Sequence, residues 1–135
     1  MSADKAFVDT NVLLYLLSSD APKADRAEAC VAAGGVISVQ VLNEFASVTL
    51  RKFKAPWPAV HESLDLFRQA FRVEPLTVEV HERGLKIAER YKLAVYDGQI
   101  LAAAALAGCK VVYSEDMQHD LRVDEDLVVR NPFRD

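Results

Sequence analysis

Asp9, Glu44, Asp97 and Asp116 are the residues of this 135-residue chain whose types and positions can do chemistry. Asp9 is the most telling. The run Ala6-Phe-Val-Asp-Thr-Asn-Val-Leu-Leu-Tyr-Leu-Leu17 reads as a short buried strand (Ala6 to Val8), a polar turn and then a helix. A carboxylate buried at that junction is costly unless it is paired or bound to a metal, and the ends of strands that give way to helices are where open parallel sheets bind ligands. Glu44 lies in the helix after the second strand, three residues beyond Val41 and four before Val48, so it flanks the apolar stripe. Asp97 opens the alanine-rich helix Ile100–Leu106, and Asp116 follows the strand Lys110–Tyr113 through Ser114-Glu115.

Each acid alone has an ordinary explanation. Asp9 suits an Asx turn, Glu44 a solvent-facing helix position, Asp97 a helix N-terminus and Asp116 a turn. The joint pattern says more, because all four junctions point to one edge of a parallel sheet. Four carboxylates converging there repel one another, and hard divalent cations are the natural remedy. Oxygen-only ligands favour Mg²⁺ or Mn²⁺ over zinc, which prefers nitrogen and sulfur. His61, His81 and His119 offer no alternative, being scattered with no H-x-x-x-H spacing, and His119 reads as a surface residue.

The elements that must position these acids follow from periodicity. Strands are predicted at Ala6–Val8, Val36–Ser38, about Val73–Leu76, Lys110–Tyr113 and Leu127–Arg130. Helical patterns separate them: Asn11–Leu17; Pro22 to Ala33, stopped by Gly34-Gly35; one capped by Ser38 with Val41, Leu42, Phe45, Val48 and Thr49 at helical spacing; one after the Ala55-Pro-Trp-Pro58 break with Val60, Leu64, Phe67 and Phe71 on one face; one capped by Thr77 with Val80, Leu85, Ile87 and Ala88 inside; and the Asp97 helix, closed by Gly108. Short strands alternating with helices imply crossover units: an α/β fold, three layers α/β/α around a central parallel sheet of about five short strands.

Length and composition bound the function. The chain is expected to be a single domain, 1–135, and a chain of this size buries roughly two-thirds of its unfolded surface. Apolar residues make up 51% and charged residues 27%, as in ordinary globular proteins. No apolar stretch reaches the ~20 residues of a membrane span, and Met1-Ser-Ala-Asp-Lys lacks a secretory start. Cys30 and Cys109 form no C-x-x-C pair and read as core fillers in a cytoplasmic protein. A net charge of −4 argues against a binder held mainly by phosphate neutralisation, but not against a nuclease whose acids are cancelled by cations. Arg51, Lys52 and Lys54 form the densest basic group, readable as substrate-backbone contacts or as helix-end charge. Arg83, Lys86, Arg90 and Lys92 read as a solvated face, and Trp57 can stack on a base, meet a partner or pack locally. No G-x-x-x-x-G-K-[ST] or G-x-G-x-x-G occurs. Asn11 stands where a haloacid-dehalogenase-like phosphatase needs aspartate, and Arg130-Asn131 where a response-regulator receiver needs lysine.

Four blocks in order, Phe7-Val-Asp-Thr-Asn-Val-Leu-Leu-Tyr15, Val41-Leu-Asn-Glu-Phe45, Tyr96-Asp-Gly-Gln-Ile-Leu-Ala-Ala-Ala104 and Tyr113-Ser-Glu-Asp-Met-Gln-His119, resemble the motifs of PIN-domain ribonucleases, most of all the VapC-like toxins of bacterial toxin–antitoxin pairs. Val129-Arg-Asn-Pro-Phe133 resembles their usual ending. The resemblance implies that Asp9, Glu44, Asp97 and Asp116 are the metal-binding acids of an endoribonuclease. Asp9 and Asp97 would be central ligands, Asp116 would complete the shell, and Glu44 would bind metal or orient the water. Thr10 and Ser114 look like the hydroxyl residues that orient these ligands. It further implies an RNA substrate, an antitoxin whose tail crosses the acidic groove and brings an arginine near Asp9 and Asp116, and homodimers, for which the helices around Trp57 and Phe67 offer apolar surface. The sequence departs from the family at Asp120, where many relatives have glycine. Glu115, a second acid beside Asp116, is expected to point away. The alternative is a catalytically silent PIN-like module that docks on RNA or protein, although such a module has no need of four mutually repelling acids.

Overall fold

The computed structural model of the protein describes residues 6–124 and 126–134; Met1–Lys5, read above for a secretory start, lies outside them. Strand β1 (Ala6–Val8) runs through the middle of the sheet with Phe7 and Val8 fully buried. It leads into helix α1 (Thr10–Leu14), a 3₁₀ turn (Tyr15–Leu17) and helix α2 (Ala21–Ala33). Then come β2 (Val36–Ser38), α3 (Val39–Arg51), α4 (Trp57–Ala70) and β3 (Arg72–Glu74). The chain continues through α5 (Val78–Tyr91), α6 (Val95–Leu106), β4 (Val111–Tyr113), β5 (Arg122–Val123) and β6 (Leu127–Arg130).

The strand order is β3-β2-β1-β4-β6-β5. From β1 the chain winds outward through β2 and β3, then returns to lay β4 on β1's other side. Phe7 is therefore registered with Val36 on one flank and Val112 on the other. The order thus reverses at β1, and the crevice at the C-terminal ends of β1 and β4 is the switch point at which such sheets take ligands. The predicted parallel strands are all present, and a sixth joins them: the two-residue β5 pairs antiparallel with β6 at the edge. β3 ends at Glu74 because Pro75 has no N–H to continue a ladder.

Local chemistry sets the helix starts. Ser38 and Thr77 cap α3 and α5 through side-chain acceptors for Val41 N and Val80 N, and Gly34 stops α2 at a φ of 76° that favours glycine. Helix α6 begins at Val95, two residues before Asp97, so Asp97 sits in its first turn rather than at its cap.

Two core expectations are corrected. Phe67 is 1% exposed and meets Phe45 edge-to-face at 4.8 Å, so it offers no outer surface; on α4 the exposed large apolar side chains are Trp57 and Leu66. Leu85, expected inside, is exposed on α5. Cys109 is buried and Cys30 half-buried, and neither is in a disulfide. Among the described residues no helix is long and apolar enough to cross a membrane.

Candidate active site

Asp9 ends β1 and caps α1. Its backbone N–H donates to Tyr113 O across the β1–β4 pair at 2.9 Å, which fixes it at the sheet's switch point. The residue is 5% exposed. One carboxylate oxygen accepts from Thr10 N (2.7 Å), the other from Asn11 Nδ2 (3.0 Å) and Ser114 Oγ (2.9 Å). These donors are neutral, and they do not offset the loss of solvation. Burial pushes the Asp9 carboxyl up to about 7, against the hydrogen bonds from Ser114 and Thr10, with the charges of Asp97 and Glu44 adding to the rise.

Glu44, half-buried in the second turn of α3, is held at both oxygens. Thr10 Oγ1 donates to one at 2.8 Å and Gln40 Nε2 to the other at 3.4 Å. The same Gln40 amide donates to Tyr96 O at 3.1 Å, tying α3 to the residue before Asp97. Burial raises the Asp97 carboxyl above its usual range, and the charges of Asp116 and then Glu44 raise it further. Asp116 is exposed in the loop after β4. All four sequence-predicted acids line one cleft of about 320 Å³, together with Thr10, Asn11 and Arg51.

No Lys, Arg or His forms an ion pair with any of these four acids among the described residues. A cluster of hard oxygen donors, two of them driven toward protonation and without a protein cation to balance them, is chemically suited to a divalent ion of the Mg²⁺ or Mn²⁺ type. As they stand, no three acidic or histidine side chains among the described residues are drawn together closely enough to enclose an ion. Mutual repulsion opposes such gathering, and a bound cation would have to offset it.

Glu115 points away, as expected. Tyr15 Oη donates to one of its oxygens, and Lys23 Nζ lies 2.8 Å from the other. Burial works to raise its carboxyl, but the hydrogen bonds from Lys23 and Tyr15 outweigh it and hold Glu115 below the usual range. Asp120, which stands where the resemblance expects glycine, keeps the left-handed backbone at φ 69° and pairs with Arg130.

Two residues of the site escaped sequence reasoning. Asn11 bridges the two halves: its amide donates to Asp9 and to Ser114 Oγ (3.3 Å), and its carbonyl accepts Glu115 N at 2.9 Å. Its place two residues after Asp9 was the available signal. Gln40 stands one helical turn before Glu44, a spacing that brings two side chains together.

Ser114 is the fully buried support of this network, donating to Asp9 and accepting from Met117 N at 3.4 Å. Ser114→Ala removes one of the hydrogen bonds that hold the Asp9 carboxyl down. It is expected to lower Mn²⁺ affinity about ten- to a hundred-fold and fold stability by about 1–2 kcal/mol, measured by calorimetry and urea unfolding.

Comparison with known proteins bears on the fold that carries these residues. The family described as PIN domain matches residues 6–123. A search of curated proteins found no match. Among solved structures, a toxin–antitoxin complex from Klebsiella pneumoniae superposes with TM-score 0.67 at 21% identity, covering 95% of this chain and 98% of that one. VapC20 of Mycobacterium tuberculosis, described as a sarcin-ricin loop cleaving toxin, gives TM-score 0.68 at 19% identity over 83% and 90% of the two chains. VapBC2 of Rickettsia felis, bound to a DNA fragment from its promoter, gives 0.64 at 18% identity over 93% and 97%. At these identities the likeness is one of fold.

Proposed function

Because this chain belongs to the PIN domain family, we propose that it is a divalent-cation-dependent endoribonuclease, the toxin of a toxin–antitoxin pair, working as one PIN-like domain. The observation that carries the reading is the single cleft in which Asp9, Glu44, Asp97 and Asp116 meet beside Arg51. Asp9 and Asp97 are the central ligands in this account, and Asp116, exposed on its loop, completes the set. When bound, Mg²⁺ or Mn²⁺ supplies Lewis acidity toward the phosphodiester and lowers the pKa of water. Thr10 and Gln40 hold the Glu44 carboxylate so that it either joins the ligands or orients the attacking water. Ser114 and Asn11 fix the Asp9 carboxylate, and Arg51 meets the negative charge of the substrate.

That this chemistry falls on RNA is supported by VapC20, a fold relative described as cleaving the sarcin-ricin loop. An antitoxin partner is supported by the toxin–antitoxin complexes among the fold relatives. Self-association, if it uses α4, has Trp57 and Leu66 to work with.

The test is cleavage of single-stranded and structured RNA with Mg²⁺ or Mn²⁺ and with neither. Asp97→Asn is expected to lower the rate about a hundred- to a thousand-fold, the scale of losing one charge stabiliser in the transition state, with the circular dichroism of the fold unchanged. A folded native chain that leaves every RNA intact in both ions would point instead to a silent binding module. Induced expression of the native chain alone is expected to arrest growth. An active nuclease that leaves growth unaffected would remove the toxin assignment.

A further inference from the structure

Where α3 ends, Arg51, Lys52, Phe53 and Lys54 form an exposed turn. It is closed by Ala55 N donating to Thr49 O at 3.1 Å, with Lys54 in the left-handed region at φ 53°. Two of its side chains border adjoining cavities. Arg51 lines the carboxylate cleft, and Phe53 lines a second cavity of about 520 Å³ with Leu14, Tyr15 and Leu17. The cavities share Asn11, Leu14 and Asp116 and so lie side by side. We propose that the second cavity is a base subsite for the nucleotide next to the scissile phosphate, with Phe53 as its stacking face and Arg51 as the phosphate contact. This deepens the nuclease reading and rests on it for the words "scissile phosphate".

Three observations favour an unpaired base. The volume is that of a ligand pocket, with apolar walls and the hydroxyls of Ser18 and Ser19 for orientation. Phe53 is 51% exposed on a turn bearing three cations, and interleaved aromatics and cations are the means by which proteins hold single strands: rings stack on bases while Lys and Arg meet the backbone. Of the two carboxylates on the cavity wall, Glu115 is also compensated, being paired with Lys23 at 2.8 Å and bonded by Tyr15, while Asp116 is shared with the carboxylate cleft. A polyanion entering on the Glu115 side meets a neutralised acid, and Asp116 stands at the end where the cation of the proposed site would lie.

The test measures fluorescence anisotropy of an end-labelled single-stranded RNA with the slow-cleaving Asp97→Asn chain in Mg²⁺, read before cleavage is appreciable. The same strand carrying an abasic site, moved one position at a time, is compared. One abasic position is expected to weaken binding about five- to a hundred-fold, the range of one lost base stack. Adding Phe53→Ala should weaken the intact strand by the same factor and abolish the response to that position, whereas Phe53→Trp should retain both. Arg51→Ala should lower the slope of log affinity against log salt by about one unit. Absence of RNA binding, binding unchanged by Phe53→Ala, or an abasic penalty that persists in Phe53→Ala would overturn the proposal. Cleavage of the same RNA by the native chain is scored in parallel. Cleavage with Phe53-independent binding sinks the base subsite alone, while Phe53-dependent binding without cleavage retains the subsite and sinks the nuclease reading.

Discussion

Asp9→Asn is expected to make the cation-free protein more stable above neutral pH while removing its Mn²⁺ binding and its RNA cleavage. Asp9 titrates near 3.8 in the unfolded chain and is pushed to about 7 by burial in the fold. Between those values the folded state holds the extra proton, so the stabilising contribution is complete below pH ~4 and is lost as pH rises through about 7. Above that, an ionised and buried Asp9 costs the cation-free fold up to about 4 kcal/mol. Asparagine carries no charge and avoids this cost. Its amide, however, turns a donor toward Asn11 Nδ2 and Ser114 Oγ, where the native oxygen accepts both, a loss of about 1–2 kcal/mol. Burial wins, and the expected net gain is about 2 kcal/mol at pH 8, shrinking to nothing or reversing near pH 5. Urea unfolding of both chains with chelator across that range checks it. Equal stability of the two at pH 8 would mean that Asp9 is not buried as an unpaired charge. Saturating Mn²⁺ should reverse the order at pH 8, since an ion bound only by the native fold adds about 3 kcal/mol at a hundred times its Kd.

Gly98→Ala is expected to destabilise the fold although alanine is the better helix former. Propensity alone favours the change by about 0.5–1 kcal/mol. A Cβ at Gly98, however, would lie 2.3 Å from Gly84 O and 2.9 Å from the Ala88 Cβ. The nearer atom is backbone and cannot rotate away, so α5 and α6 must part. Forced overpacking of this kind costs about 1–3 kcal/mol and outweighs the propensity gain. Gly84 has the mirror problem, its Cβ meeting Gln99 at 2.7 Å and 2.8 Å. Because Asp97 precedes Gly98, parting the helices also shifts a candidate ligand, so Mn²⁺ affinity should fall together with stability. Thermal unfolding and calorimetry read both. A Gly98→Ala protein of undiminished stability would contradict the close helix contact.

The parts of this structure that were legible in the sequence are those written in local chemistry. Phe7-Val-Asp announces a buried strand ending in a carboxylate, Ser38 and Thr77 announce helix starts, and the four acids each stand at a junction of the sheet's ligand-facing edge. What was not legible depends on partners far along the chain. Phe67 follows the apolar stripe of α4, but only its edge-to-face contact with Phe45 decides that it is inside. β5 has two residues, too few for any period, and exists because β6 pairs with it. Gly84 and Gly98 read as weak points of two helices until the helices are seen to meet at them. Gln40 and Asn11 carry no charge and were not read as parts of the site, yet they orient Glu44 and Asp9.

The central claim is that Asp9, Glu44, Asp97 and Asp116 together hold a catalytic divalent cation. Calorimetric titration of Mn²⁺ into the native chain, Asp9→Asn and Asp97→Asn, with each shown to be folded, tests it most directly. The account predicts saturable binding by the native chain that strengthens as pH rises through 7, as Asp9 gives up its proton, and that is lost in both variants. Absence of binding by the folded native chain at pH 8, or binding undiminished by Asp9→Asn, would contradict it.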